Sequence, residues 1–110
     1  MESWIKDANN ETFLCVQIET REALANVESM AAVPGLDVMF FGPGDMGWRL
    51  SDAGGNVAGA DHFFDGKNPE AIDKVAAAGK AAGTAWGMPV GTKEQVSCCF
   101  WRCWCCPCMC

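Results

Sequence analysis

Phe13-Leu14-Cys15-Val16-Gln17-Ile18-Glu19-Thr20 and Asp37-Val38-Met39-Phe40-Phe41-Gly42-Pro43-Gly44-Asp45 are two apolar runs that each lead into a loop carrying a carboxylate. The first alternates. Leu14, Val16 and Ile18 lie on one face and Cys15, Gln17 and Glu19 on the other, the period-two pattern of a strand. The second is continuously apolar after Asp37, as expected of a strand covered on both faces. Between them the sequence predicts a helix from Arg21 to Ala32. Thr20 is its candidate N-cap, Leu24, Val27 and Ala31 form its apolar stripe, and Pro34-Gly35 stops it. Two strands joined through such a crossover helix run parallel.

Outward from this unit the alternation continues. Ser3 to Ala8 reads as the last turns of a helix ended by Asn9-Asn10. A long Gly-rich connection is expected from Gly42 to Lys67. Asn68-Pro69-Glu70 then opens a helix with a capping residue and Pro at the first helical position. Ile72, Val75 and Ala76 form its buried face, and Gly79 is expected to end it. A third short strand is expected over about Ala82 to Met88, and Thr92-Lys93-Glu94-Gln95 reads as the start of another helix. The order β-α-β-α-β demands a parallel sheet in an α/β fold.

Composition narrows the functional classes. A chain of 110 residues, 50% of them hydrophobic, has the size of one domain with one core. Its formal net charge is −6, from 14 acidic and 8 basic residues, and no basic cluster is present to bind nucleic-acid phosphates. Early mixed charges in Met1-Glu2-Ser3-Trp4-Ile5-Lys6-Asp7 do not make a secretory signal. No apolar run approaches the roughly 20 residues of a membrane helix, so no membrane partner is expected and the cytoplasm is the default location. Cys15 stands alone in the first strand, whereas the other seven cysteines crowd positions 98–110. A secreted disulfide framework spreads its cysteines through the domain. Cys15 is therefore expected to be a small buried hydrophobe in a reducing compartment.

Glu19 and Asp45 each stand where a short apolar strand runs out. Strand ends of this kind are where a β/α barrel keeps its chemistry, and a pair of carboxylates there reads as a divalent-metal site. A single carboxylate at a strand end is more often a helix cap or a solvated side chain. Gln17 and Glu19 on one strand face weigh against that reading. Inside a barrel, polar side chains without partners would cost roughly 1–3 kcal/mol each. A metal or a substrate would supply the partners.

Phe13 to Leu24, then Ala31-Ala32-Val33-Pro34-Gly35-Leu36-Asp37-Val38-Met39-Phe40-Phe41-Gly42-Pro43-Gly44-Asp45, with Asn68-Pro69-Glu70 and Ala78 to Gly83 beyond, resemble the HpcH/HpaI-type aldolases, a family that includes citrate lyase β-subunits as relatives. The resemblance covers roughly residues 8 to 95 and rests on a Gln-x-Glu strand end and a Gly-Pro-x-Asp strand end separated by one helix. It implies a metal-dependent, pyruvate-utilising carbon–carbon lyase on a (β/α)8 barrel. It assigns Glu19 and Asp45 to a Mg²⁺ or Mn²⁺ ion, and Gln17 to the pyruvate position. The backbone amides around Gly44 and Asp45 would receive the carboxylate of a small 2-oxo acid. Two hard oxygen ligands suit such a cation and leave room for water and substrate oxygens. A homo-oligomer is implied as well.

The resemblance is also incomplete. A (β/α)8 barrel needs eight strands and typically about 250 residues. Here about three β/α units are expected, a partial barrel occupying residues 1–95. The family's catalytic histidine and substrate-gripping arginine belong to the half that is not matched, so no catalytic residue is assigned. Little or no turnover is expected of the chain alone, and its open strand edges would be an aggregation hazard. After Asp45 the family has a Leu and a small polar residue, where this chain has Met46-Gly47-Trp48.

Residues 96–110, Val96-Ser97-Cys98-Cys99-Phe100-Trp101-Arg102-Cys103-Trp104-Cys105-Cys106-Pro107-Cys108-Met109-Cys110, form an irregular Cys/Trp-rich tail without helical or alternating period. Cys and Trp codons share their first two bases, so the tail reads as translation in a non-native frame or of an intron. The alternative to an enzyme is a non-catalytic product of a damaged gene. Such a product would bind Zn²⁺ or Cu⁺ through the interleaved C-x-x-C pairs Cys103/Cys106 and Cys105/Cys108. The terminal Cys108-Met109-Cys110 resembles doubly prenylated tails, but nothing upstream supports that.

Gly42-Pro43-Gly44-Asp45-Met46-Gly47 fits the G-x-G-x-x-G pattern of dinucleotide-binding folds. Asp45 would aim a negative charge at the pyrophosphate, and no phosphate-binding helix is expected to follow. His62, the sole histidine, reads as a surface residue. Arg49 reads equally as a contact for an anionic substrate or as a solvated loop residue.

Overall fold

The computed structural model describes residues 2–50, 68–94 and 96. Its elements alternate as α1 (Glu2–Glu11), β1 (Cys15–Ile18), α2 (Arg21–Ala25), α3 (Val27–Ala31), β2 (Val38–Phe41), α4 (Pro43–Leu50), α5 (Asn68–Ala82) and β3 (Ala85–Gly87). The three strands form one sheet in the order β1-β2-β3, parallel throughout. Cys15 is level with Val38 and Ile18 with Phe41, while Val38 to Phe40 pair with Ala85 to Gly87. The α/β class and the parallel sheet expected from the sequence are present.

One face of the sheet carries the core. Ile18, Met39 and Phe41 project from the strands against Val27 and Ala31 of α3, Met46 of α4, and Ala71, Ile72, Val75 and Ala78 of α5. Each large apolar side chain buried in this way contributes about 1.5–3 kcal/mol, which is what holds the helices on the sheet. Thr84 adds a cross-link, its hydroxyl donating to the Ala31 carbonyl at 2.7 Å.

Several boundaries differ from expectation, each for a local reason. Helix α1 runs through Asn9-Asn10 to Glu11, and the Thr12 hydroxyl donates to the Ala8 carbonyl at 2.7 Å, serving an end of the helix that would otherwise face water. The first strand starts at Cys15, not Phe13. Leu14 is exposed, and its N–H donates to the Asp37 carboxylate at 2.7 Å. The helix expected from Arg21 to Ala32 divides at Asn26, whose φ of −103° and ψ of 11° leave the helical region. Both the Asn26 N–H and its side-chain amide donate to the Glu22 carbonyl, so the residue caps one helix where it opens the next. Gly35, at φ 88°, takes the left-handed turn after α3 that a side chain would resist.

Two further corrections concern glycines. The Gly42–Lys67 segment was expected to be a connection throughout, yet Pro43–Leu50 is helical. Pro43 at the first helical position and Met46, fully buried, overcome the low helix propensity of Gly44 and Gly47. Gly79 does not end α5 either. It lies buried within the helix, where a Cβ would stand 2.8 Å from the Thr84 carbonyl oxygen, and Gly83 at φ 72° makes the stop. The third strand is shorter than expected, Ala85–Gly87. Val96 N–H donates to Thr92 O at 3.1 Å, the spacing of a first helical turn.

Among the described residues, helices cover only one face of the second strand. Met39 and Phe41 are buried, but Val38 and Phe40 are only half-buried on the opposite side, the side shared with Cys15 and Gln17. Cys15 is exposed, correcting its reading as a buried hydrophobe. Among the described residues no helix is long and apolar enough to cross a membrane.

Candidate functional site

The site begins with the register of two strands. Ile18 pairs with Phe41, and the Gly42 N–H donates to the Ile18 carbonyl at 3.0 Å, carrying the ladder one step beyond the strands. Glu19 and Gly42 therefore leave the sheet side by side. Immediately after Glu19, Thr20 caps α2, its hydroxyl accepting from the Ala23 N–H at 3.0 Å. The chain direction at Glu19 is thus fixed from both sides.

Gly42 has no side chain for a spatial reason. A Cβ there would stand 3.1 Å from Gln17 Nε2, 3.1 Å from Glu19 Cβ and 3.3 Å from Glu19 Oε2. The carboxamide of Gln17 and the carboxylate of Glu19 thus converge over one backbone position. Gln17 is exposed and Glu19 half-buried.

Asp45 arrives by a different element. The Gly42 carbonyl accepts from the Met46 N–H at 3.0 Å, which makes Gly42 the residue from which α4 starts. Asp45 lies exposed in the first turn, where its charge complements the helix dipole. Of the first-turn positions, Pro43 has no N–H, so Gly44 and Asp45 present the amides that no earlier helical carbonyl can accept. Unlike Gly42, Gly44 has open space where a Cβ would be.

Glu19, Gln17, Gly44 and Asp45 accordingly stand at the ends of two neighbouring strands, with the Gln17 and Glu19 side chains both close over Gly42. Among the described residues no group of three or more His, Cys, Asp or Glu side chains gathers as a metal site. Two carboxylates, a carboxamide and two helix-start amides are the chemistry this end of the sheet offers. Carboxylates are the donor type that hard cations take, and helix-start amides the donor type that organic acids take.

Three contributors carried no signal, or a misleading one, in the sequence. Gly42 read as part of the Gly-Pro-x-Asp strand end and of a loop, with no sign of its closeness to Gln17 and Glu19. Asn68, read as a cap, is buried, and its side-chain amide donates to the Pro43 carbonyl at 3.1 Å. Arg21, read only as a helix residue, donates from Nε to the Arg49 carbonyl at 2.6 Å. Arg49 belongs to α4, not to a loop, and its guanidinium lies 6.0 Å from the centre of the Trp48 ring.

The G-x-G-x-x-G pattern needs a partial correction. A helix does follow the strand directly, so one argument against dinucleotide binding falls. The other holds, since Asp45 occupies the first turn of that helix. His62 with Asp61, Phe63 and Phe64, and the cysteine-rich tail with its C-x-x-C pairs, lie outside the described residues.

The chain is 39% identical over 85 residues to 2-dehydro-3,6-dideoxy-6-sulfogluconate aldolase of Pseudomonas putida, covering 76% of this chain and 32% of the relative. It is 36% identical over 90 residues to hydroxypyruvate/pyruvate aldolase of Chromohalobacter salexigens, with the same coverage, 76% and 32%. The chain thus spans about a third of the length of these curated relatives. The crystal structure of an HpcH/HpaI aldolase from Desulfitobacterium hafniense superposes with a TM-score of 0.72 at 26% identity, covering 92% of this chain and 37% of that one. Residues 1–97 match the sequence model of HpcH/HpaI aldolase/citrate lyase, and the chain belongs to that family.

Proposed function

We propose that this chain contributes the cation-binding part of a metal-dependent, class II aldolase-type lyase that cleaves 4-hydroxy-2-oxo acids to pyruvate and an aldehyde. Its three parallel strands are then part of a (β/α)8 barrel, with the site at the strands' C-terminal ends. Glu19 and Asp45 would hold Mg²⁺ or Mn²⁺. The observation that supports this reading is the bare Gly42: the backbone is pared to its minimum where the Gln17 and Glu19 side chains both come close to it. Removing a side chain there gives a carboxylate room beside a ligand, and two hard oxygen donors suit these cations.

When bound, the cation supplies Lewis-acid stabilisation of the negative charge that develops as the carbon–carbon bond breaks. The chain's own residues do the rest of the positioning. Gln17 Nε2, next to Glu19, can donate to a substrate oxygen. The Gly44 and Asp45 amides can receive the substrate carboxylate at the positive end of α4. General acid–base assistance, typically worth about 10²–10⁴ in rate, falls to groups elsewhere in the barrel. Turnover by this chain alone is therefore expected to be weak or nil, on a small 2-oxo acid in the cytoplasm.

The test is Mn²⁺ titration followed by the electron paramagnetic resonance of free Mn²⁺. Changes behind a metal's ligands cost roughly 10–100-fold in affinity, so loss of a ligand in Glu19→Gln or Asp45→Asn should weaken binding at least as much. Deuterium incorporation into the pyruvate methyl group in D₂O, read by mass spectrometry, would report enolisation with either cation. No Mn²⁺ or Mg²⁺ response together with tight zinc uptake would replace this reading by that of a non-catalytic soft-metal binder.

A further inference from the structure

Helix α4 carries Asp45 and the two free first-turn amides, and it is held at both ends by side chains from other elements. At its start, the buried Asn68 side chain donates to the Pro43 carbonyl at 3.1 Å from 25 residues further along the chain. At its end, Arg21 Nε donates to the Arg49 carbonyl at 2.6 Å from the first residue of α2. The second contact also places a cation against the negative end of the helix dipole. Between the two clamps, Met46 is fully buried in the core.

From these contacts we infer that Asn68 and Arg21 are positioning residues: they fix the orientation of α4, and through it the placement of Asp45 and of the Gly44 and Asp45 amides. The need for such clamps follows from the length of the helix. Eight residues make barely two turns, below the length at which a helix is stable by its own hydrogen bonds. Gly44 and Gly47 lower its intrinsic stability further. Pro43 and Met46 are buried and Leu50 packs partly against the core, but these apolar contacts are not directional, and without the two hydrogen bonds α4 could shift along them and move Asp45 relative to Glu19. Glu19 is fixed independently by the sheet register and the Thr20 cap, so only the Asp45 side needs external support.

Arg21 has a second consequence. It stands two residues after Glu19, so the β1–α2 turn that carries one proposed ligand also grips the helix that carries the other. The two halves of the site are thereby coupled through a bond that involves neither ligand directly. This part of the inference rests on the proposed cation site, whereas the clamping of α4 does not.

The experiment measures two quantities in the full chain. Amide hydrogen exchange of α4 is compared with that of β1 and β2, and Mn²⁺ affinity is titrated in parallel. Arg21→Ala changes an exposed residue and keeps the core intact. Asn68→Asp keeps the shape but replaces the donor with an acceptor facing the Pro43 carbonyl. Each variant is expected to speed α4 exchange while leaving the strands unchanged, and Asn68→Asp to weaken Mn²⁺ binding roughly ten-fold. Arg21→Lys should restore part of what Arg21→Ala loses, because an ammonium still donates at the helix end. Unchanged α4 exchange in both variants would overturn the clamp. Faster exchange with unaltered Mn²⁺ affinity would overturn the positioning role. Faster exchange where even the unsubstituted chain binds no Mn²⁺ would support the clamp and remove the metal reading.

Discussion

The Glu19 side chain crowds the position that a methyl group on Gly42 would take: the Cβ of an alanine there would stand 3.1 Å from Glu19 Cβ and 3.3 Å from Glu19 Oε2. The first of these contacts cannot be relieved by rotating a flexible side chain, because Glu19 Cβ is fixed by the backbone of a strand end. Gln17 Nε2, the third neighbour at 3.1 Å, is the far end of an exposed side chain and can swing away.

Gly42→Ala should therefore cost little stability and much binding. Overpacking costs about 1–3 kcal/mol, and contacts of 3.1 to 3.3 Å ask the neighbours of the buried Gly42 to give by only a few tenths of an ångström, which places the cost near the lower end. The Glu19 carboxylate and the Gln17 carboxamide would both be displaced, so Mn²⁺ affinity should fall even though neither residue was changed. Thermal unfolding and Mn²⁺ titration of the variant check this together. Full Mn²⁺ affinity in Gly42→Ala would mean that the bare backbone at 42 serves no ligand.

Gly79→Ala should behave in the opposite way, with stability lost and the site unaffected. Alanine favours a helix interior over glycine by about 1 kcal/mol. Here its methyl would stand 2.8 Å from the Thr84 carbonyl, a backbone atom that cannot rotate aside, with Met39 Cε and Trp86 Cδ1 each at 3.4 Å. The overpacking cost of about 1–3 kcal/mol should exceed the helix gain. A lower urea midpoint is the expected result. A higher one would show that α5 can lift from β3 without penalty.

What was legible in the sequence followed physical period and what was not followed packing. The alternation of Leu14, Val16 and Ile18, the stripe of Val27 and Ala31, and the face of Ile72, Val75 and Ala76 each repeat at the spacing of their element, and all but the exposed Leu14 lie buried or half-buried. The placement of Glu19 and Asp45 beyond two parallel strands was readable for the same reason. Helix α4 was not, because Gly44 and Gly47 argue for a loop and the burial of Pro43 and Met46 decides otherwise. Gly79 carried the signature of a helix stop, and only the nearness of Thr84 O shows it to be a close approach. The even hydrophobicity of Val38 to Phe41 suggested two covered faces, yet in the described residues helices cover one. Asn68 and Arg21 act on carbonyls 25 and 28 residues distant, which no local pattern records.

Thr20→Ala tests the cap that fixes the chain just after Glu19. The Thr20 hydroxyl accepts from the Ala23 N–H at 3.0 Å, and α2 spans only five residues, so few other bonds hold this turn. Loss of such a cap typically costs about 1 kcal/mol. Thr20→Ser keeps the oxygen and should recover most of the loss in the same denaturation experiment. Equal destabilisation by both would point to the threonine methyl, not the hydrogen bond.

Cys15 tests whether the sheet face opposite the helices is open in solution. Its thiol is exposed and lies on the face of β1 that also carries Gln17, level with Val38 of the next strand. In a closed barrel that row of side chains would point inward, out of reach of reagents. In the three-stranded arrangement described here it faces solvent, so iodoacetamide should alkylate Cys15 in native buffer nearly as fast as in denaturant. Trypsin isolates this cysteine in a peptide spanning residues 7–21, so mass spectrometry can follow it apart from the seven cysteines of the tail. Strong protection in native buffer would show that something covers this face. Further chain or a second copy would then complete the layer in which Gln17 and Glu19 sit.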